Sequence, residues 1–402
     1  MKKLVILRGI PNSGKTTFRN TLGLDEYTIC LDDIRRMLGG TYLDVDGNEV
    51  IASTPAMEKK VISFATDALT QRLEDGSFTL LDCCNTNPKY MNTFIQLARP
   101  HGYRIYVVDM MLECSLETCL ERNTHRTFNR ISEDVIHHLY KQYKQGLPRS
   151  ILSKVTVLAP SDFESVVLEH PIKYNVPVAV FGDVHGCYST LKKALALLPN
   201  PCVKVFLGDY CDRGPDSAKV LKWVLKHKDD TDYVFVEGNH EAHLRAYSKD
   251  KYAFSKQFNN TTKPQLDSMG LSKKEIRVFT RDTLKEMHWF KVGDNEVFAT
   301  HGGITGLYEN PTFMRATDFI HGIGDYDQMP QVADCWDKHC NGTYQIHGHR
   351  NNQLVDIPES KYSLNVDGHV EKGGQLRFVV FNTDNTVTAC SVDSIEKEVF
   401  KK

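Results

Sequence analysis

Short apolar runs, each closed by a polar turn, recur along the amino-terminal part of the chain. Residues 4–7 form one such run ending in a glycine-rich turn, and residues 28–31, 79–81 and 103–109 repeat the pattern. Runs of this length without polar alternation predict strands buried on both faces of a parallel sheet. Between them the apolar positions shift to helical spacing. In residues 57–73, Val61, Phe64, Ala65, Ala68 and Leu69 mark a predicted helix. Strands alternating with helices predict an α/β domain with a parallel sheet.

A second series of runs starts at Val176. Residues 178–181, 203–207, 233–236 and 297–300 read as strands, and each is followed at once by a polar cluster containing Gly, Asp, Asn or His. Polar clusters on loops after strands are where α/β enzymes place their chemistry. Pro171 and Pro177 put a boundary near residue 170, although the first unit could already close at Leu147-Pro148. The expected division is therefore a domain over 1–170 and a second over 171–402. The lysine-rich stretch from about 250 to 290 reads as a helical insertion.

Bulk properties narrow the classes. At 402 residues, 41% hydrophobic and 25% charged, the chain can build two globular cores. A formal net charge of −2 excludes coating of long nucleic acid by bulk charge, so any nucleic-acid contact must be local, through a few placed arginines. Eleven cysteines lack C-x-x-C pairing, which points to reduced thiols and a cytoplasmic compartment, or the host cytoplasm for a phage-encoded chain. The apolar run after Met1-Lys2-Lys3 is too short for a signal peptide, and no stretch of 18 apolar residues predicts a membrane span.

Gly9-Ile10-Pro11-Asn12-Ser13-Gly14-Lys15-Thr16 fits G-x-x-x-x-G-K-[ST] between a predicted strand and a helix-compatible run over 17–22. Gly9, Asn12, Ser13, Gly14, Lys15, Thr16 and Thr17 are the expected nucleotide-binding residues. Backbone N–H groups would cradle phosphates, Lys15 would reach the β and γ phosphates, and the Thr16 hydroxyl would ligate Mg²⁺. Asp32-Asp33-Ile34-Arg35 follows the second strand. A carboxylate there can take a proton from an attacking hydroxyl, or it can cap a helix, a role that suits Asp33. Asp82, ahead of Cys83-Cys84-Asn85-Thr86-Asn87-Pro88, reads equally as functional or as a turn and cap. Arg122, Arg126 and Arg130, spaced by four, read as one helical face or lid over phosphates, or as a solvated basic helix.

These stretches resemble the 5′-OH polynucleotide kinases of phages and bacteria, over most of residues 1–150. The resemblance implies that Asp32 is the general base for the 5′-OH. It implies that Arg35 grips the acceptor phosphate and that Arg126, with Arg122 or Arg130, acts on the donor phosphates of ATP. A small-metabolite kinase is the competing reading.

Five clusters carry the second half: Gly182-Asp183-Val184-His185-Gly186, Gly208-Asp209-Tyr210-Cys211-Asp212-Arg213-Gly214, Gly238-Asn239-His240-Glu241, His301-Gly302-Gly303 and His347-Gly348-His349-Arg350. Asp, His and Asn suit Mn²⁺, Fe or Zn, and a pair of cations needs a bridging carboxylate. Each cluster alone is an ordinary loop; His243, His288 and His321 stay in that class. The ordered set resembles the calcineurin-like metallophosphoesterases. That resemblance implies an α/β sandwich binding two divalent metals, with Mn²⁺ favoured. Asp183, His185 and Asp209 would hold the first metal, with Asp209 bridging, and Asn239, His301 and His349 would hold the second. His240, oriented by Asp212, would be the general acid, and Arg213 would bind phosphoryl oxygens. The family pattern selects His349 over His347. Asp367 would support a ligand histidine or merely shape a turn.

The two halves together resemble the first two modules of bacterial RNA-repair polynucleotide kinase-phosphatases, without the ligase module. That implies a bifunctional end-healing enzyme acting on nucleic-acid ends, RNA ahead of DNA. It would use an NTP donor and remove 3′-phosphate or 2′,3′-cyclic phosphate. A separate ligase is the implied partner, and oligomeric state stays open. The rival is a serine/threonine protein phosphatase or dinucleoside-polyphosphate hydrolase fused to a P-loop small-molecule kinase.

Overall fold

The computed structural model describes residues 1–45, 47–307, 310–350 and 360–398. It divides into two compact units, Met1–Glu169 with Asn310–Arg315, and His170–Glu309 with Ala316–Lys402.

The first unit contains β1 (Lys3–Arg8), β2 (Thr28–Cys30), β3 (Thr41–Leu43), β4 (Glu49–Ile51), β5 (Thr79–Asp82), β6 (Arg104–Asp109) and β7 (Thr156–Leu158). Five of them form a sheet in the order β2-β5-β1-β6-β7, all pairs parallel, while β3 and β4 make a separate hairpin. Leu4, Ile6, Leu81 and Val107 face one buried cluster. Val5, Leu7, Leu80 and Val108 face another. Period-two alternation thus puts every other side chain on each face, and because both faces are covered the sequence reads as unbroken apolar runs.

The predicted helix over 57–73 is Pro55–Glu74. Pro55 stands at its start, and the Thr54 hydroxyl accepts from Met57 N at 3.2 Å. Its buried stripe steps by four through Val61, Ala65, Leu69 and Leu73. Phe64 and Ala68 lie off this stripe and are exposed. The predicted second strand stops one residue early: Leu31 already belongs to helix Leu31–Gly39, whose N-cap is Cys30. Asp33 is therefore inside the first turn and is not the cap.

The second unit is a mixed α/β sandwich of two five-stranded sheets. One has the order β11-β10-β9-β16-β17, from Tyr233–Phe235, Val203–Phe206, Val178–Phe181, Gln375–Phe381 and Val387–Asp393. The other has the order β15-β14-β13-β12-β8, from Ser363–Asn365, Tyr344–His347, Asn295–Thr300, Met287–Val292 and Ile172–Tyr174. Val178, Val180, Val205 and Val379 meet Phe290, Val297, Ala299 and Ile346 between the sheets. Outside the first sheet, Phe181, Phe206 and Phe235 pack under helical Leu191, Val220 and Leu244. Outside the second, Phe298 packs against Phe319 and Trp336, with ring centroids 5.7 and 6.2 Å apart.

The lysine-rich insertion is helical over Phe258–Thr262, Lys263–Met269, Lys273–Val278 and Phe279–Thr283. Its predicted end is not helical, because residues 287–292 form β12 and carry a buried face. No helix among the described residues is long and apolar enough to cross a membrane.

Candidate active sites

In the first unit the chain leaves β1, turns through Gly9–Gly14 and enters helix Lys15–Thr21. Asn12 (φ 67°) and Gly14 (φ 96°) take left-handed conformations, which turn the backbone back on itself. Gly9 is required by space: a Cβ there would lie 2.5 Å from Ser13 Oγ. The Lys15 ammonium donates to Gly9 O at 3.0 Å and Ile10 O at 2.9 Å, so the loop is closed on its own lysine. Two predicted arginines lean on this loop. Arg122 donates to Asn12 O at 3.1 Å and Arg126 to Asn12 Oδ1 at 3.0 Å. Only Arg122 lies in helix Leu116–Thr124; Arg126 follows its end and Arg130 is exposed in the next loop, so the expected single helical face is not formed.

A cavity of about 1490 Å³ joins this loop to the carboxyl ends of β2 and β5. Asn12, Ser13, Gly14, Lys15, Thr16, Thr17, Asp32, Arg35, Asp82, Arg122 and Arg126 all line it. Arg35 bonds Asp32 and is gripped by both carboxylate oxygens of Glu58, at 2.8 and 2.9 Å. The same pairing holds the Glu58 carboxyl below its usual range. Asp82 is buried beside Arg19 at 3.3 Å, and burial raises its pKa against the pull of Lys15 and Arg19. Asp82 is not a cap; helix Pro88–Ala98 is capped by Asn87, which accepts from Lys89 N at 2.9 Å. Glu58 carries no sequence signal, since it sits inside an ordinary helix far from either motif.

In the second unit the five clusters follow β9, β10, β11, β13 and β14 and meet. Asp209 stands between two groups of donors. Its Oδ2 faces His185 Nε2 at 3.5 Å and His240 Nε2 at 3.8 Å, while Oδ1 faces His301 Nε2 at 3.4 Å. His349 completes a cluster with Asp209 and His301 whose ligand atoms lie within 4.8 Å of one another. Asp183 approaches from the side, its oxygens 3.8 Å from His185 Nε2 and 3.9 Å from His301 Nδ1. One terminal atom of the Asn239 amide sits 3.0 Å from His349 Nδ1, 3.1 Å from His301 Nε2, and 3.2 and 3.3 Å from the two Asp209 oxygens. With nitrogen there the amide donates to the Asp209 carboxylate and the ring nitrogens; turned over, its oxygen would face a cation held among the same groups. The donor set therefore fits divalent metals.

The local backbone is built for this convergence. His185, Asp209, Asp212, Arg213 and His349 all have left-handed φ, between 42° and 80°. Such non-glycine positions cost about 1–3 kcal/mol each and persist where function holds them. Gly238 and Gly348 allow the close approach, because a Cβ on either would overlap Asp209 Oδ1 or Asp183 Oδ1.

Electrostatics follow from burial. The Asp183 carboxyl is raised well above its usual range by burial, with Asp367 and Asp209 adding to it. Burial alone would raise Asp209 too, but His301, His240 and His185 hold it well below. His301 is lifted to about 9: burial opposes protonation, and Asp209 and Asp183 outweigh it. Burial and the His301 charge depress His349 to about 2.

Beside the metal-type donors, His240 Nδ1 is 2.8 Å from Asp212 Oδ2. Arg213 reaches His185 Nε2 and His240 Nε2, both at 3.1 Å, and Glu371 at 3.3 Å. Three further groups have no motif to announce them. Thr262, from the insertion, donates to Asp212 Oδ1 at 3.0 Å. Tyr326 Oη meets His349 Nε2 at 3.2 Å. His243, which reads from sequence as a loop histidine, forms a possible ligand group with Asp212 and His240. His347 is buried, with its Nδ1 3.3 Å from Gly348 O, and stands in none of the ligand clusters found among the described residues. The Asp367 carboxylate accepts from His369 N at 3.0 Å, a turn bond, and also acts on Asp183.

Residues 176–375 match the family model of calcineurin-like phosphoesterases, and residues 4–149 match that of an AAA domain. The asymmetrical bis(5′-nucleosyl)-tetraphosphatase PrpE of Oceanobacillus iheyensis is 25% identical over 245 residues, 56% of this chain and 96% of that protein. A candidate bifunctional polynucleotide kinase/RNA ligase of Autographa californica nuclear polyhedrosis virus is 23% identical over 262 residues. That match covers 58% of this chain and 36% of the viral protein. A serine/threonine phosphatase structure from Saccharomyces cerevisiae aligns with TM-score 0.39 at 14% identity, covering 56% of this chain and 84% of that one.

Proposed function

We propose that this enzyme, a P-loop kinase-like module joined to a calcineurin-like phosphoesterase module, heals nucleic-acid ends. Residues 1–170 transfer the γ-phosphate of Mg²⁺-ATP to a polynucleotide 5′-OH. Residues 171–402 remove 3′-phosphate or 2′,3′-cyclic phosphate. RNA is the preferred substrate, the compartment is cytoplasmic, and a separate ligase joins the products.

The observation that carries the kinase half is the single cavity lined by Lys15, Asp32, Arg35, Arg122 and Arg126. It offers phosphate donors at one end and a carboxylate–guanidinium pair at the other. Lys15 and the loop amides bind the donor phosphates, Thr16 holds Mg²⁺, and Arg126 and Arg122 neutralise charge on the transferred group. Asp32 takes the proton of the 5′-OH, and Arg35 positions the acceptor phosphate. In the second site Asp183, His185 and Asp209 hold one divalent cation, Mn²⁺ first among candidates, and Asp209, Asn239, His301 and His349 hold the other. When bound, the pair supplies Lewis acidity and activates water. Arg213 orients the phosphoryl group, and His240, held by Asp212, protonates the leaving oxygen.

The similarity to a tetraphosphatase along nearly its whole length favours a second reading, hydrolysis of dinucleoside polyphosphates. Two assays separate them. Labelled phosphate transfer from ATP to a 5′-OH oligonucleotide is expected for wild type and lost in Lys15→Ala and Asp32→Ala; no transfer by wild type removes the kinase reading. Phosphate release from a 3′-phosphate oligonucleotide is expected to exceed turnover of diadenosine tetraphosphate and of a phosphopeptide, and to vanish in Asp209→Ala while the kinase persists.

A further inference from the structure

The lysine-rich insertion carries an outward ridge that no part of the proposed chemistry uses. Tyr252 and Phe254 are 68% and 95% exposed, and their rings meet edge to face with centroids 6.2 Å apart. The residue between them, Ala253, is buried in the core cluster that includes Phe258. Its carbonyl accepts from Asn259 Nδ2 at 2.6 Å, and the same amide donates to Ser255 O at 2.7 Å. The two rings are thus held outward by a pinned backbone. Single exposed apolar side chains are ordinary; here two aromatic rings stand side by side on the surface.

The charge around the pair is positive. Lys251 and Lys256 flank it, both exposed. Burial lowers the Lys249 pKa, and the nearby Arg245, Lys251, Arg277 and Arg281 add to it, with Arg245 paired to Glu237 and Arg281 to Asp282. Of the acidic groups on the insertion, Asp250 pairs with Lys273, Asp282 with Arg281 at 2.6 Å, and Asp267 accepts from the Tyr247 hydroxyl at 2.7 Å, while Glu275 is exposed. Helix Glu241–Ser248 starts right after His240, and the ridge follows it in the chain after Lys249 and Asp250. At about 1.5 Å per residue the helix is about 12 Å long.

We propose that Tyr252, Phe254, Lys251 and Lys256 dock the single-stranded body of a polynucleotide whose 3′-phosphate end sits at the Asp209 site. The rings stack on bases and the lysines meet phosphates, the pairing that single-strand binders use without sequence readout. A phosphopeptide offers neither stacked bases nor a line of phosphates. This inference rests on the end-healing reading and names the surface that recognises the strand.

The test uses the full chain with Mn²⁺. Wild type, Tyr252→Ser/Phe254→Ser and Lys251→Ser/Lys256→Ser are compared on a 3′-phosphorylated mononucleotide and a 3′-phosphorylated twelve-nucleotide single strand. Turnover of p-nitrophenyl phosphate, which cannot reach the ridge, reports an intact site and is expected to stay equal in all three. Wild type should show a KM about tenfold lower for the strand than for the mononucleotide, and the aromatic double variant should erase that difference at unchanged kcat. The lysine variant should lose it most at low salt. An unchanged strand KM in the aromatic variant overturns the proposal. So does a variant defect confined to a phosphopeptide, which would make the partner a protein. If wild type acts on neither 3′-phosphate substrate, the end-healing reading fails on its own. The ridge is then judged by binding of a fluorescent 3′-OH strand in an Arg35→Ala background: weaker binding in the aromatic variant upholds it, and equal binding rejects it.

Discussion

Thr262 donates a hydrogen bond to Asp212 Oδ1 at 3.0 Å, so an insertion remote from the sequence motifs holds one oxygen of the carboxylate whose other oxygen meets His240. Both residues are buried. His240 Nδ1 therefore has a fixed partner, and the ring's Nε2 is presented beside Arg213. Burial would lower the His240 pKa, but Asp209 and the Asp212 hydrogen bond outweigh it and raise the group, as a proton donor requires.

Thr262→Val keeps the shape and deletes the donor. A hydrogen bond to a charged group is worth about 1.5–3 kcal/mol, so Asp212 should lose its orientation without unfolding the unit. kcat on an oligonucleotide 3′-phosphate should fall roughly tenfold or more by that energy. Turnover of p-nitrophenyl phosphate, whose leaving group needs no proton, should change little. Equal losses on both substrates would mean that Thr262 acts on folding and not on the acid.

Tyr326 gives a second, narrower prediction. His349 Nδ1 turns toward Asn239, leaving Nε2 for the Tyr326 hydroxyl at 3.2 Å. A bond to the outer nitrogen of a ligand histidine fixes its ring, and its loss costs about 10–100-fold in metal affinity. Tyr326→Phe should weaken one of two Mn²⁺ binding steps in calorimetric titration and spare the other, because the His185 side of Asp209 is untouched. Asp209→Ala should remove both. Two unchanged steps in Tyr326→Phe would show that the tyrosine does not position His349.

In the first unit, Glu58 clamps Arg35 by two bonds of 2.8 and 2.9 Å, and Ser53 Oγ donates to Glu58 at 2.7 Å. Glu58→Gln leaves the length and removes the charge. Arg35 should then swing, raising the KM for the 5′-OH strand several-fold while the KM for ATP holds, since Lys15 and Arg126 are elsewhere in the cavity. A matched rise in both constants would place Glu58 in the general fold of the site.

These three residues mark where the sequence stops being legible. The strands were readable because both-face burial turns them into apolar runs, as with Val5 and Ile6. The phosphate loop and the five polar clusters were readable because each is contiguous. Thr262, Tyr326 and Glu58 reach their partners from 50, 23 and 23 residues away along the chain, and nothing in their local pattern differs from a surface helix or turn. Asp33 misled for a local reason: the helix starts at Leu31, one turn before the acidic pair would cap it. The same limit hid β12 at the end of the insertion, where His288 and Phe290 have their partners on other segments.

His288 supplies the pH prediction. It is 2% exposed, its Nε2 is 3.0 Å from Tyr174 Oη, and its ring stacks on Phe290 at 5.4 Å. Burial, with Lys285 adding to it, pushes its pKa down to about 3. The unfolded chain has a histidine pKa of about 6.5. Between those values the unfolded state binds a proton that the folded state refuses. Stability from the neutral ring is therefore complete above pH about 6.5 and drains as pH falls toward 3. At pH 5 the loss amounts to about 2 kcal/mol, from about 1.5 pH units at 1.36 kcal/mol each. His288→Gln keeps a partner for Tyr174 and cannot titrate. In urea unfolding at pH 7.5 the variant should be the less stable protein, and at pH 5 the gap should close or reverse by about 2 kcal/mol. Parallel losses in the two proteins would show that this ring does not set the acid sensitivity of the sandwich.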